Sequence, residues 1–329
     1  AINRANYVIE NVARMQAEGI VLNPASLDVI LGEARMLRGL CYFKLIAMWG
    51  DVPYFTFVVA ANAEVSDLAR SPIGQVRDSI LADYTYAIDK LPATASAQGR
   101  STKASALALR GKLNLYWGSW KKNGWPELEG FTQDQAEAMA AYTAATEDFD
   151  AVINDFGLDL YMGGDPGQID ALGEANVLPN YYHLFTPRAN GNPEMVLAFN
   201  HGGINTGQGE ELMRDFSGRS HEGSQAWVTP RYELADRYQL LSTGDFADPL
   251  IPMNPTTNAN ARTTLNSAVN PQSYADRDYR MKSTIQWDYE KSIGLAALQS
   301  TGMTPFIYRT WAVRVDIGGT FYTTYNTGN

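Results

Sequence analysis

This chain of 329 residues contains one cysteine and three histidines. It also lacks any run of lysine or arginine and any long apolar stretch. Each absence removes a class of function. A single Cys41 forms no internal disulfide and cannot anchor a zinc cluster. Inside a helical pattern it is expected to be a small buried residue. His183, His201 and His221 are far apart and show no HExxH-type spacing, so no metal and no cofactor is expected. There is no Gly-x-Ser-x-Gly elbow and no phosphate loop, and Gly202-Gly203 after His201 reads as loop with no nucleophile to serve. The acid pairs Glu127/Glu129 and Glu210-Glu211 are the remaining candidates for hydrolytic chemistry on a glycoside. Close acids in loops are ordinarily solvated, so the chain is expected not to be an enzyme. Lys plus Arg number 26 against 36 Asp plus Glu, a net charge of −10 that repels phosphate backbones, so no nucleic-acid partner is expected. The longest apolar run, Phe55 to Ala61 with Thr56 inside it, is far shorter than the roughly 20 residues that span a bilayer as a helix.

What is present is helical periodicity over the first half. The chain opens at Ala1-Ile2-Asn3-Arg4 already in a helical pattern. Leu27, Ile30, Leu31, Ala34, Leu37, Cys41, Leu45 and Met48 recur in steps of three and four, behind a cap at Asn23-Pro24. A second stripe follows Ser71-Pro72 as Ile73, Val76, Ile80, Tyr84, Ala87 and Leu91, and Pro92 ends it. From Thr102 to Trp120 the sequence is apolar nearly all round. From about Asp134 to Phe156 the expected buried stripe is Met139, Tyr142, Ala145, Phe149, Val152, Ile153 and Phe156. Leu37-Arg38-Gly39 recurs as Leu109-Arg110-Gly111, and Asp83-Tyr84 recurs as Asp148-Phe149. Offsets near twice 34 fit helix pairs of tetratricopeptide type. Arg38 and Arg110 each sit among apolar residues, where an unpaired guanidinium costs several kcal/mol, so each is expected to hold an acid. Asp83 is the first candidate for Arg38, and Asp51 and Asp148 are the others.

After about Asp159 the texture turns to Gly, Asn and Pro. Met195 to Phe199 and Tyr308 to Val315 read as strands, Pro230 to Leu241 as a helix, and Asn254 to Gln272 as an exposed loop. The expected fold is therefore mostly α (α+β), with helix pairs over 1–158 and a loop-rich part with short strands over 159–329. Trp49, Trp117 and Trp120 lie on helices and read as packing residues. Trp125, Trp227 and Trp287 lie in loops beside Asn, Gln and Asp, with Tyr289 two residues after the last. A sugar offers an apolar C–H face and a polar rim, so a flat ring with polar neighbours suits it. Trp125, Trp227, Trp287 and Tyr289 are the candidate ligand-binding residues. The competing expectation for each is that it anchors its own loop.

The blocks Glu33-Ala34-Arg35-Met36-Leu37-Arg38-Gly39-Leu40-Cys41-Tyr42-Phe43 through Trp49-Gly50-Asp51-Val52-Pro53-Tyr54, Arg70-Ser71-Pro72, Asp83-Tyr84 to Lys90-Leu91-Pro92, and Gly99-Arg100-Ser101-Thr102-Lys103-Ala104 occur in an order that resembles the SusD/RagB family of outer-membrane nutrient-binding lipoproteins. Asn192-Pro193-Glu194-Met195-Val196 is a weaker echo, as is Asp276-Arg277-Asp278-Tyr279-Arg280-Met281, which has Tyr279 where proline is usual. The resemblance implies a SusD-like fold and a protein held at the extracellular face of the outer membrane of Gram-negative bacteria by an N-terminal lipid. It also implies capture of oligosaccharides, as a lid over a SusC-like TonB-dependent transporter. Relatives of RagB take peptides instead, and a tetratricopeptide protein–protein scaffold is the reading that needs no transporter. Against that family the chain reads as a fragment lacking both ends.

Overall fold

The structure is a computed structural model that describes residues 1–20, 23–162, 168–169, 175–177, 180–185, 189–200, 228, 230, 233–246, 274–285, 290–293, 303–306, 314–317 and 320–323. It divides into two units, residues 1–160 with 193–200, and residues 161–192 with 201–329.

The first unit is a row of five helices, α1 (Ile2–Ala17), α2 (Pro24–Trp49), α3 (Ile73–Lys90), α4 (Lys103–Asn123) and α5 (Gln135–Asp155). Each of the last four starts where local chemistry dictates. The Asn23 side chain accepts from the Ala25 N–H at 3.1 Å and Pro24 occupies the first turn. Thr102 and Ser105 exchange side-chain and backbone bonds in a capping box, and Asp134 accepts from the Glu137 N–H. For α3 the cap comes from outside the helix, since Asp51 Oδ1 accepts from the Ile73 N–H at 2.7 Å. At residues 50–53 the chain turns: α2 stops at Trp49, Gly50 takes a φ of 68°, and Val52, held extended by Pro53, bridges to Ser71.

Helices α2 with α3 and α4 with α5 pack as antiparallel pairs, and the two pairs repeat one contact. Arg38 grips Asp83 through Nε at 2.8 Å and Nη2 at 2.7 Å, and Arg110 grips Asp148 through the same atoms at 2.9 and 2.6 Å. Beside each fork a glycine admits an aromatic ring. A Cβ on Gly39 would lie 2.7 Å from Tyr84, and one on Gly111 would lie 2.8 Å from Phe149. The tripeptide echo in the sequence is thus the trace of a duplicated clamp, and the unit is a tetratricopeptide-type array. Its core joins Met36, Tyr42, Ile46, Val76, Ile80, Tyr84, Leu113 and Trp117.

Several expectations shift. The stripe assigned to α2 holds in its first half, where Leu27, Leu31 and Ala34 are buried, but Ile30, Leu37 and Met48 are exposed and Cys41 is half-buried, because the later turns give Met36, Gly39, Tyr42, Phe43 and Ile46 to the core. On α5, Met139 and Ile153 are exposed while Ala138, Ala141 and Ala145 are buried, and Tyr142 and Phe149 make the close approach to Gly118 and Gly111 of α4. Met195 to Phe199 is not a strand, although Leu197 packs on the core of this unit.

The second unit has α6 (Asn180–Leu184), α7 (Glu233–Asp236) and α8 (Tyr279–Thr284). It also has three antiparallel hairpins, β1 (Gln168–Ile169) with β2 (Ala175–Val177), β3 (Glu290–Ile293) with β4 (Met303–Phe306), and β5 (Arg314–Ile317) with β6 (Thr320–Thr323). The expected helix over 230–241 shrinks to α7, after which Leu240 bridges to Arg277. Of the expected strand over 308–315, residues 314 and 315 lie in β5 and the rest falls outside the described residues. The expected loop over 254–272 lies outside them as well. A small core of Ala235, Tyr274, Met281 and Ile285 ties α7 to α8.

Candidate ligand-binding site

Three pieces of the helical unit combine a rigid base with exposed or adaptable chemistry. The first starts at the Arg38–Asp83 fork. Arg38 Nη1 donates to Asn6 Oδ1 at 3.1 Å, and Asn6, fully buried, passes its own N–H groups to the carbonyls of Phe55 and Phe57. The Tyr42 hydroxyl both donates to the Phe55 carbonyl and accepts from the Phe55 N–H, and Asn3 does the same for Val59 through its amide. The most apolar run of the sequence is thereby laid out as an extended segment pinned at every second residue. Burial alone would lower the basicity of Arg38, but the bonds and charge of Asp83 outweigh it and its pKa is raised. Burial pushes the Tyr42 hydroxyl up to about 12.

The second piece is the loop 124–134, where the sequence places Trp125. Gly124 leaves α4 with a φ of 78°, and Trp125 turns back to stack on Trp120 at 4.0 Å with ring planes 13° apart. Phe131 meets its edge at 6.3 Å. Gln133 and Gln135 donate to the Lys122 carbonyl, and the Asp134 N–H donates to that of Lys121, closing the loop. One face of Trp125 is therefore occupied by Trp120, and the ring is half-buried against the core. Glu127 and Glu129 are exposed, as solvated loop acids are.

Beneath this loop lies the third piece. The Arg77 guanidinium stands 4.3 Å from the centre of the Trp117 ring, Lys121 lies 4.7 Å from that of Phe131, and Glu137 receives Arg77, Lys121 and the Trp117 Nε1–H. Partial burial would raise the Glu137 carboxyl, but the bonds from Lys121 and Trp117 and the two cations hold it below the usual range.

The candidate residues Trp227, Trp287 and Tyr289 lie outside the described residues, so Trp125 is the one whose surroundings are seen. Two aromatic features escaped the sequence reading. Trp49, read as a packing residue from its place on a helix, is 65% exposed beside Met48 at 73%. Ala47 is exposed too, so the last turn of α2 is uncovered, which no periodicity reveals. In the second unit, α6 carries Tyr181, Tyr182 and His183 and is followed by Phe185, with Arg280 on the neighbouring α8. Four rings within five residues of a loop-rich half were the available signal.

The first unit belongs to the class of tetratricopeptide-type helical arrays, in which stacked helix pairs supply a rigid frame. Comparison with known proteins points to one family. The SusD-like family described as starch-binding and associating with the outer membrane matches residues 1–115. A SusD-like protein of Bacteroides ovatus is 28% identical over 258 residues, covering 74% of this chain and 40% of its own length. A crystal structure of a SusD-like protein from Bacteroides fragilis superposes with a TM-score of 0.62 at 17% identity, over 91% of this chain and 51% of that one. A further structure, solved with xylogluco-oligosaccharide, superposes with a TM-score of 0.51 at 24% identity, over 74% of this chain and 43% of its own. The chain is therefore similar to SusD-like proteins in sequence over its first 115 residues and in fold, and it spans about half or less of the length of these relatives.

Proposed function

We propose that this protein captures oligosaccharides at the outer surface of the outer membrane and passes them intact to a SusC-like TonB-dependent transporter. The observation that carries the reading is the SusD-like match over residues 1–115, which include the Arg38–Asp83 clamp. It is supported by the shared fold of a protein solved with xylogluco-oligosaccharide. Binding without turnover suits the chemistry of the helical unit, whose buried carboxylates Asp83 and Asp148 are each committed to an arginine fork. Neither is left to act as acid or base. The loop tryptophans Trp227 and Trp287 with Tyr289 supply ring faces for sugar C–H groups, and Trp125 contributes from the loop at the end of α4. Isothermal titration with xylogluco-oligosaccharide and other neutral oligosaccharides tests capture, with chromatography of the recovered sugar as the test for turnover. Affinity purification from membranes tests the transporter, where a large β-barrel is the expected co-purifying species. Saturable binding with unchanged sugar supports the proposal, and shortened sugar chains would replace it with hydrolysis.

A further inference from the structure

The loop-rich unit contains an aromatic platform that neither the family match nor the sequence reading assigns. Helix α6 packs on α8, and at its end the Phe185 ring meets Tyr181 edge-on at 5.1 Å and 78°, with Phe185 itself 70% exposed. On α8 the Arg280 guanidinium is held by Asp278 through Nε at 2.9 Å and Nη2 at 2.6 Å, with its side chain 57% exposed. Asp278 also caps α8 by accepting from the Arg280 N–H, so one carboxylate fixes both the helix start and the fork. The base is firm, because Met281 and Ile285 are buried with Tyr274, and Arg277, three residues before Arg280, turns inward to Asp236 and the Tyr238 carbonyl.

We propose that Phe185, Tyr181 and Arg280 form an oligosaccharide subsite, in which a neutral sugar ring lies on the outward Phe185 face and its hydroxyls meet the Arg280–Asp278 fork. The inference rests on the glycan-capture reading and locates part of the binding surface. Three observations favour a sugar. Tyr181 supports one side of the Phe185 ring edge-on, and the rest of the ring is exposed to a flat ligand. The guanidinium is pre-oriented and retains N–H donors for hydroxyl oxygens, while Asp278 supplies acceptor capacity beside it. Charge is balanced within the fork, which suits a neutral ligand and gives an ionic one no advantage. A peptide strand, by contrast, is recognised by adding to a sheet edge or by filling side-chain pockets, and two short helices present no sheet edge. The electrostatic reach of Arg280 to Tyr181 and Tyr238 agrees with this grouping.

The test is isothermal titration of the whole chain, and of Phe185→Ala, Tyr181→Ala and Arg280→Gln, with xylogluco-oligosaccharide, cello-oligosaccharide and malto-oligosaccharide, alongside thermal unfolding. Loss of a stacking ring is expected to weaken binding by about 5- to 150-fold, by analogy with stacking of flat bases on aromatic side chains. Phe185→Ala should leave the unfolding midpoint unchanged because the ring is exposed, and Phe185→Tyr should retain affinity. If the wild-type chain binds an oligosaccharide and both ring variants bind it equally well, the platform is wrong while capture stands. If the wild-type chain binds none of the three sugars but binds a casein digest, glycan capture fails and the platform with it.

Discussion

At the scale of single residues, the duplicated clamp makes its own control. Tyr84 is fully buried and its hydroxyl has no hydrogen-bond partner, while the equivalent residue of the second pair is Phe149. Burial drives the Tyr84 pKa far upward, the mark of a polar group taken out of water without compensation. Tyr84→Phe is therefore expected to stabilise the protein by about 1 kcal/mol, since a buried unsatisfied group costs about 1–3 kcal/mol. Chemical denaturation measures it, and a loss of stability would show that the hydroxyl is satisfied after all. The same clamp makes Gly39 irreplaceable. An added Cβ would meet the Tyr84 ring at 2.7 Å inside the core, so Gly39→Ala should cost about 1–3 kcal/mol. Gly74→Ala, which meets nothing nearer than 3.7 Å, should be neutral or gain up to about 1 kcal/mol from helix propensity.

At the scale of elements, polar relays do what periodic apolar patterns cannot. Asn6 couples the Arg38–Asp83 fork to the carbonyls of Phe55 and Phe57, so Asn6→Ala should release the segment 55–59 and leave the Arg38 fork in place. Hydrogen exchange would then rise at the Phe55 and Val59 amides, whose partners are the Tyr42 hydroxyl and the Asn3 side chain. Uniformly faster exchange across α2 and α3 would instead mean that the whole unit had loosened. Glu137 adds a pH dependence. Its folded pKa is depressed, so its contribution is present above the ordinary glutamate range and is lost as pH falls through the folded value. Glu137→Gln should cost about 1 kcal/mol at neutral pH, the side chain being one-third exposed, and the gap to wild type should close on acidification. These relays also mark where the sequence stops being legible. The helices, the Asn23 cap of α2 and the Arg38–Asp83 pair could be read from local chemistry or from the need to pair a buried charge, whereas the Asp51 cap of α3 could not. Asn6 could not, because a buried amide looks like any surface asparagine until its partners 49 and 51 residues away are known. Nor could the outward turn of Met139 and Ile153, since α5 meets α4 through Tyr142 and Phe149 on glycines and through buried alanines, which leaves those two residues outside.

At the scale of the whole molecule, the scaffold was legible and the site was not, for one physical reason. Helical repeats announce themselves by spacing, whereas a ring face becomes a binding surface only through what covers the other face. Trp125 reads equally as a ligand ring or a loop anchor until its stack on Trp120 is seen, and Trp49 reads as packing, yet it is exposed. Net charge is the one global property the sequence states outright, at −10, and it bears on what the protein captures. A neutral oligosaccharide held by stacking and hydrogen bonds carries no long-range electrostatic attraction to this surface. A cationic peptide would be drawn to it through interactions that salt screens over about 10 Å at 0.1 M and about 3 Å at 1 M. Oligosaccharide affinity should therefore change less than about twofold between low and molar salt, since screening acts on charge and not on stacking. Titration of xylogluco-oligosaccharide at the two salt concentrations measures this directly. An affinity that falls tenfold or more would mean that charge contributes over about 1.4 kcal/mol to the contact, and would turn the reading from neutral glycans toward cationic ligands.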